Sequence, residues 1–204
     1  TCEQHLPSVE IVLVASNKPC AGIDFAAARG LPTAMIDPKT HNSRQAQETA
    51  LAKTIETAAA DWIFLAGYMA ILSADFVAQF AGRILNVHPS LLPAFKGLDT
   101  HQRALDAGVS QHGVSVHIVT AALDDGPVIL QAGLKINEYE TAETLAERVL
   151  KLEHLLLPFV LASLTTGKLT LSDAVPHWAE RNEIFATVDE VTRDFLEEYA
   201  IWPR

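Results

Sequence analysis

Asn86 and His88 have the types and the spacing needed for acyl-transfer chemistry. They lie two positions apart in the sequence NVHPSLLP, which begins at residue 86, and in a strand such a pair faces the same side. An amide can donate a hydrogen bond to a developing oxyanion, and an imidazole can do the same or move a proton near neutral pH. A histidine that is simply hydrogen-bonded to a loop would give the same pattern, so the spacing alone leaves both interpretations open.

Asp124 is the carboxylate that could complete such a site. It lies in the segment Leu123–Pro127, whose Asp-Gly pair between two apolar runs predicts a tight turn. Aspartate in a turn often serves only the turn. If the turn folds over His88, however, Asp124 would orient the imidazole and stabilise its charged form. An amide, an imidazole and a carboxylate would then form an acyl-transfer site without a nucleophilic side chain.

Other residues point to no competing chemistry. His117 lies in mid-strand and is interpreted as a satisfied sheet residue, while His101 and His112 are expected in or near surface loops. The histidines lack the spacing of a zinc motif, so no metal is expected. Ser90 is not in a nucleophile elbow, which disfavours a serine hydrolase. The sequence also lacks the glycine fingerprints of dinucleotide and phosphate-loop folds.

The first half of the chain alternates apolar runs with helical segments. Strands are predicted over residues 9–16, 33–37, 62–68 and 83–88, and helices over residues 22–30, 43–60 and 73–80. This alternation predicts an α/β fold with parallel strands, which binds ligands at the carboxyl ends of its strands. Asn86 and His88 lie at one such end.

The second half changes character. A helix is predicted over residues 100–107, followed by antiparallel strands over residues 114–120 and 128–136. Thr141 is expected to cap a long helix, and Pro158 is expected to kink it. Residues from 172 onward are more polar and include an amphipathic stretch over 189–199.

Composition limits the possible functions. The 204 residues carry 15 Lys and Arg against 25 Asp and Glu, a formal charge of −10 that disfavours nucleic-acid binding. A chain of this length suits a single domain. No apolar run is long enough to predict a membrane span. The two cysteines, Cys2 and Cys20, form no metal-type cluster and favour a reduced, cytoplasmic chain.

Three motifs resemble one known family. NVHPSLLPAFKGLDTH begins at residue 86, HGVSVHIV at residue 112 and LDDGPVILQ at residue 123. In order and spacing they resemble phosphoribosylglycinamide formyltransferases, and the resemblance covers about residues 9–180. It implies a Rossmann-like α/β fold with a mostly parallel, helix-flanked sheet and antiparallel strands in the second half. It further implies one domain, with a nucleotide-binding half over 1–85, a catalytic and folate-binding half over 86–170 and a tail over 171–204.

The resemblance also implies a reaction and a set of site residues. The family transfers a formyl group from 10-formyltetrahydrofolate to the amine of glycinamide ribonucleotide, and Asn86, His88 and Asp124 match its catalytic positions. Arg44, Pro89 and Glu153 match positions that contact the nucleotide. The folate positions correspond to an apolar set, for which ordinary core packing is the alternative: Met69, Ala70, Ile71, Leu72, Val77, Ile84, Val119, Ala121 and Ala122. Ala70 replaces an arginine of some relatives, and Asp125 stands where the family often has glycine.

The beginning of the chain departs from the family pattern. The family opens with a strand and a Gly-Ser-Asn loop that holds the substrate phosphate, whereas Thr1–Leu6 resembles the end of the helix that follows them. We therefore expect a truncated or processed start and the loss of a central strand. Small-molecule substrates, no nucleic-acid or membrane partner, and a monomer or homodimer are expected.

Three alternatives to the transferase remain. One is a formyltetrahydrofolate deformylase, against which the GLDTH loop argues. Another is a methionyl-tRNA formyltransferase, which the acidic charge disfavours. The third is an inactive truncated form that retains folate binding.

Overall fold

The computed structural model describes residues 9–203. The strands are β1 (Val14–Ser16), β2 (Thr33–Met35), β3 (Ile63–Leu65), β4 (Ile84–His88), β5 (Gln111–Ile118), β6 (Val128–Lys135), β7 (Leu169–Ser172), β8 (Val175–Trp178) and β9 (Ala200–Ile201). The helices are α1 (Ala21–Ala27), α2 (Arg44–Thr57), α3 (Ala74–Gln79), α4 (Thr100–Asp106), α5 (Ala142–Thr165), α6 (Arg181–Phe185) and α7 (Glu190–Tyr199), with a 3₁₀ turn at Pro38–Thr40. The interpretation of Thr1–Leu6 as a helix end lies outside the described residues.

The main sheet has five strands in the order β3-β4-β5-β6-β9. β3 and β4 are parallel, whereas the other neighbours in this sheet are antiparallel. β1 and β2 form a separate parallel pair, and β7 and β8 form an antiparallel hairpin. The predicted α/β class with antiparallel strands in the second half is confirmed. Within residues 9–203 no ladder joins β1 to β3, so the parallel strands of the first half lie in two separate sheets.

The strands of the first half are shorter than their apolar runs. Hydrophobicity predicts one strand over each of residues 9–16 and 62–68, but only Val14–Ser16 and Ile63–Leu65 pair with a neighbouring strand. β1 and β3 each have one hydrogen-bonded neighbour in the described part of the chain. A backbone without a partner strand cannot continue a ladder, so hydrophobicity alone overestimates the length of these strands.

The helix caps follow the sequence closely. Ser43, Ser73 and Thr141 each accept a hydrogen bond from a backbone N–H in the first turn of α2, α3 and α5, which confirms the cap predicted at Thr141. α5 runs through Pro158 as one assigned helix. A proline removes one backbone hydrogen bond there, and packing of the residues on either side compensates for that loss.

Two apolar clusters cover opposite faces of the main sheet. Leu85 belongs to the cluster formed with α5, and Ile84 to the cluster formed with α2 and α3. Since neighbouring residues of a strand face opposite sides, the α5 cluster and the α2–α3 cluster lie on different faces. Asn86 and His88 therefore continue the row of Ile84, on the face opposite to α5.

The segment after Ser172 packs on the body of the molecule. The Trp178 indole N–H donates to the Ile129 carbonyl at 3.0 Å, and the Trp178 ring stacks on Phe159 with centroids 5.6 Å apart. β9 pairs with the outer edge of β6. No helix within residues 9–203 combines the length and apolarity required to cross a membrane.

The α5 cluster predicts a contrast between two adjacent leucines. Leu156 is fully buried, whereas Leu155 is 39% exposed. Leu156→Ala should lower the free energy of unfolding by about 2–5 kcal/mol because it opens a cavity. Leu155→Ala, the matched control, should lower it by about 1 kcal/mol or less. Urea denaturation measures both values, and equal losses would contradict this packing.

Candidate functional site

The end of β4 presents the two predicted donors. Asn86 is paired with Leu65 on β3 and with His117 on β5, and His88 lies opposite Ser115. The His88 side chain is only 6% exposed. The strand register thus holds both side chains on one face, at the edge of the sheet where β3 and β4 both end.

The turn after β5 brings Asp124 to His88. Asp124 Oδ2 lies 3.5 Å from His88 Nδ1 and accepts a hydrogen bond of 2.8 Å from the Gly97 N–H. The turn approaches the sheet so closely that a Cβ atom on Gly126 would lie 1.8 Å from the Ile118 carbonyl oxygen. A glycine is therefore required two residues after Asp124 for the turn to take this path. The turn therefore folds over His88, as it must if Asp124 is to orient the imidazole.

His117 joins Asn86 to this cluster. Its Nε2 atom lies 3.2 Å from Asn86 Nδ2 and 3.6 Å from Asp124 Oδ1, and its Nδ1 atom lies 3.0 Å from the Ile118 carbonyl. A carbonyl can only accept, so Nδ1 carries the proton and the Nε2 lone pair accepts from the Asn86 amide. This contact fixes which end of the amide is the N–H₂ group.

His117 is buried and neutral. Burial lowers its pKa and outweighs the Ile118 carbonyl and the Asp124 charge, which both raise it. Sequence reasoning treated His117 as a satisfied sheet residue, which is correct for Nδ1 but misses its contact with Asn86. The two-residue alternation of Ser115 and His117 opposite His88 and Asn86 is the signal that could have revealed it.

His112 corrects a second expectation. It was expected in or near a surface loop, but it lies within β5 and is 1% exposed, with its Nε2 atom 3.1 Å from His101 Nδ1. Burial, and then the charge of His101, lower the pKa of His112 from 6.5 to about 4. Burial likewise lowers the pKa of His101. Local sequence does not predict that His112 is covered, because the residues that lie against it, His101 and Phe95, come from other segments of the chain.

The hydroxyl groups near the site are already engaged. Ser90 is fully buried and its Oγ donates to the Ala94 carbonyl at 2.6 Å, and Ser115 Oγ donates to the Ser90 carbonyl at 2.6 Å. Neither is positioned as a free nucleophile. The cluster therefore offers an amide N–H, an imidazole and a carboxylate, which can stabilise an oxyanion and move a proton.

Some of the predicted folate positions are buried, and the others are exposed. Leu72, Val77 and Ile84 belong to the α2–α3 cluster, with Val119 packed against it. Met69, Ala70 and Ile71 are exposed, as are Ala121 and Ala122. The segment 69–72 follows β3 and lies at the same end of the sheet as Asn86, since Leu65 and Asn86 are paired. Met69 and Ile71 are thus exposed at the end of the sheet that carries Asn86 and His88.

Arg44 and Glu48 of α2 anchor that segment. Arg44 donates to the Ile71 carbonyl and, through Nε, to Glu48 Oε1 at 3.0 Å. The buried Glu48 also accepts from the Ser73 backbone N–H at 3.0 Å and from its hydroxyl group. Burial raises the pKa of Glu48, but the hydrogen bonds from Ser73 and Arg44 outweigh it and lower the pKa below its ordinary value. Sequence reasoning did not single out Glu48.

The remaining predicted positions are farther apart. Pro89 directly follows His88, whereas Glu153 lies on α5, which packs on the other face of the sheet. Burial raises the pKa of Glu153, which has no hydrogen-bond or ion-pair partner among residues 9–203. The same residues contain no group of three or more His, Cys, Asp or Glu side chains placed to hold a metal ion.

The lowered histidine pKa values predict how stability changes with pH. At His101, His112 and His117 the folded pKa lies below that of the unfolded chain, near 6.5. Below about pH 6.5 the unfolded chain binds more protons, so the free energy of unfolding should fall as the pH drops toward 4. His112→Asn should reduce this fall, and the exposed His177→Asn should not. Urea denaturation at several pH values measures it; a native stability independent of pH over this range would refute the assignment.

Comparisons with known proteins show the family to which this chain belongs. The family model described as formyl transferase matches residues 1–161. The phosphoribosylglycinamide formyltransferase of Escherichia coli is 42% identical over 84% of this chain and 82% of its own length. A solved structure of the Coxiella burnetii phosphoribosylglycinamide formyltransferase has 44% identity and a TM-score of 0.79, covering 83% of this chain and 81% of that one.

A longer relative contains a similar sequence within a larger protein. The trifunctional purine biosynthetic protein adenosine-3 of Bos taurus is 43% identical over 80% of this chain, which spans only 16% of that protein's length. The match of the family model to most of the chain, together with the bacterial relatives of similar length, shows that this chain belongs to the formyl transferase family, among the phosphoribosylglycinamide formyltransferases.

Proposed function

We propose that this chain transfers the formyl group of 10-formyltetrahydrofolate to the amine of glycinamide ribonucleotide, in purine biosynthesis and in the cytoplasm. The observation that carries the proposal is the convergence of Asn86, His88 and Asp124 at the end of β4. His88 Nδ1 lies 3.5 Å from Asp124 Oδ2, and neighbouring hydroxyl groups are engaged elsewhere. Such a site suits direct attack by an amine better than covalent catalysis by the enzyme.

The reaction can be written on these residues. The amine nitrogen forms a bond to the formyl carbon, and the carbonyl electrons move to oxygen, where the Asn86 amide and the protonated His88 stabilise the oxyanion. The carboxylate of Asp124 stabilises the charged imidazole. The intermediate collapses by breaking the bond to the folate nitrogen, which takes up a proton as the attacking nitrogen loses one.

Both substrates have candidate contacts. Met69 and Ile71 expose apolar surface suited to a flat pterin, beside the α2–α3 cluster. Pro89 and Glu153 remain candidates for the nucleotide, and the bond from Arg44 to the Ile71 carbonyl favours a place for Arg44 beside the folate. We propose the division of one domain that the resemblance implies, into a nucleotide-binding half over 1–85, a catalytic and folate-binding half over 86–170 and a tail over 171–204. The segment 69–72 of the first half would add contacts to the folate.

The catalytic assignment predicts large losses of turnover. His88→Ala and Asp124→Asn should each lower kcat by about 10²–10³-fold or more, because each removes charge stabilisation from the transition state. Absorbance follows the formyl group of 10-formyltetrahydrofolate, with and without glycinamide ribonucleotide. The exposed His177→Ala is the control and should behave as the native chain. Formyl loss without the nucleotide would favour a deformylase, and unchanged rates in both site variants would refute the catalytic assignment.

The hydrogen bonds of Glu48 predict that its replacement changes the KM for the folate substrate and not the KM for the nucleotide. Glu48→Ala should raise the KM for 10-formyltetrahydrofolate about tenfold and leave the KM for the nucleotide nearly unchanged, because it frees the segment 69–73. Glu48→Gln keeps an acceptor for the Ser73 N–H and should lose less. Glu56→Ala, an exposed change on the same helix, should have no effect. A rise in the nucleotide KM alone would contradict this placement of the folate.

A further inference from the structure

The two ring nitrogens of His88 have different neighbours. Nε2 lies 2.9 Å from the carbonyl oxygen of Phe95, and Nδ1 lies 3.5 Å from Asp124 Oδ2. A backbone carbonyl only accepts hydrogen bonds, so the contact at Nε2 requires a proton on that nitrogen. The neutral ring is then the Nε2–H tautomer, and Nδ1 is the nitrogen whose protonation can change.

Phe95 reaches His88 through an unusual backbone conformation. Its φ angle is 54°, in the left-handed region that a bulky residue seldom adopts. Such a conformation persists only where the surroundings hold it. The Phe95 ring packs edge-on against His112, with centroids 6.0 Å apart, and the Arg103 guanidinium carbon lies 5.7 Å from its centroid.

Arg103 holds the rest of this loop. Its Nη1 atom donates to the Lys96 carbonyl at 2.6 Å and to the Leu98 carbonyl at 3.1 Å. These carbonyls flank Gly97, whose N–H donates to Asp124 Oδ2. One guanidinium therefore fixes the four-residue segment 95–98 that contacts both the Nε2 side of His88 and the carboxylate on its Nδ1 side.

We infer that Phe95 and Arg103 are positioning residues that set the proton of His88 on Nε2 and so make Nδ1 the nitrogen that exchanges a proton with the substrate. The distance from Nδ1 to Asp124 exceeds that of an ordinary hydrogen bond, and catalytic hydrogen bonds are often long before substrate is bound. A proton on Nδ1 can thus serve both the carboxylate and an incoming oxyanion. The catalytic consequence rests on the proposed function, whereas the tautomer does not.

The tautomer is measured directly on the native chain. Long-range ¹H–¹⁵N spectra of ¹⁵N-histidine protein distinguish a protonated from an unprotonated ring nitrogen, and loss of signals in His88→Gln assigns the ring. We expect Nε2–H for neutral His88. The Nδ1–H tautomer, or a rapid mixture of the two, would overturn the inference even if the enzyme proves active. The result is independent of which reaction the chain performs.

The role of Arg103 is tested by variants. Arg103→Met should convert His88 to a mixture of tautomers and lower kcat about 10- to 100-fold with little change in either KM, since a small displacement at a site is costly. Arg103→Lys should retain part of the preference for the Nε2–H tautomer and part of the native kcat. Arg181→Met, which removes an arginine 5.3 Å from the Trp202 ring, is the matched control and should change neither. A native tautomer in Arg103→Met would overturn the positioning role, whatever happens to kcat.

Discussion

A single buried carboxylate determines how the parts of this site fit together. The Asp124 side chain is 8% exposed, and an unpaired charge at that depth would cost several kcal/mol. The Gly97 N–H and the His88 ring lie against it, and they come from the loop after β4 and from β4 itself. Because this one charge must be compensated, the turn after β5 packs against β4 and against the loop that follows it. The carboxylate thereby lies beside Asn86 and His88, the two donors of the proposed reaction.

The two loops that meet at the Asp124 carboxylate contain residues with a strained backbone conformation. Phe95, Asp99 and Asp124 all have positive φ angles, of 54°, 56° and 48°. Each costs about 1 kcal/mol or more relative to a relaxed conformation, so the loops must be held by other contacts. The exposed pair of Lys96 and Asp125 links the loops, and the hydrogen bond from Lys96 lowers the pKa of Asp125. This contact gives Asp125 a structural role in joining the two loops.

Local features of the sequence were sufficient for much of the fold. The caps at Ser43, Ser73 and Thr141 depend on neighbouring residues, so they could be predicted without knowledge of the tertiary structure. The same holds for Asn86 and His88, whose shared face follows from their spacing alone. Strand lengths were less predictable, because a ladder ends where its partner ends. The short β1 and β3 reflect the division of the parallel strands into two sheets.

The parts that sequence reasoning missed depend on tertiary contacts. His117 and His112 look alike in the sequence, but β5 places one against Asn86 and Asp124 and buries the other against His101. Glu48 gains its importance from Ser73, 25 residues away. Arg44, a candidate for contact with the nucleotide, also donates a hydrogen bond to the carbonyl of Ile71, 27 residues away. Each of these pairings depends on the register of the sheet or on contacts between segments that are distant in the sequence.

In the proposed reaction the formyl group passes directly from folate to amine, without a covalent intermediate on the protein. The most direct test supplies 10-formyltetrahydrofolate with a labelled formyl group and measures the label in protein, in formate and in formylated glycinamide ribonucleotide. Direct transfer predicts label in the nucleotide alone, and no release when the nucleotide is left out. Label retained on the protein, or formate produced without the nucleotide, would contradict it.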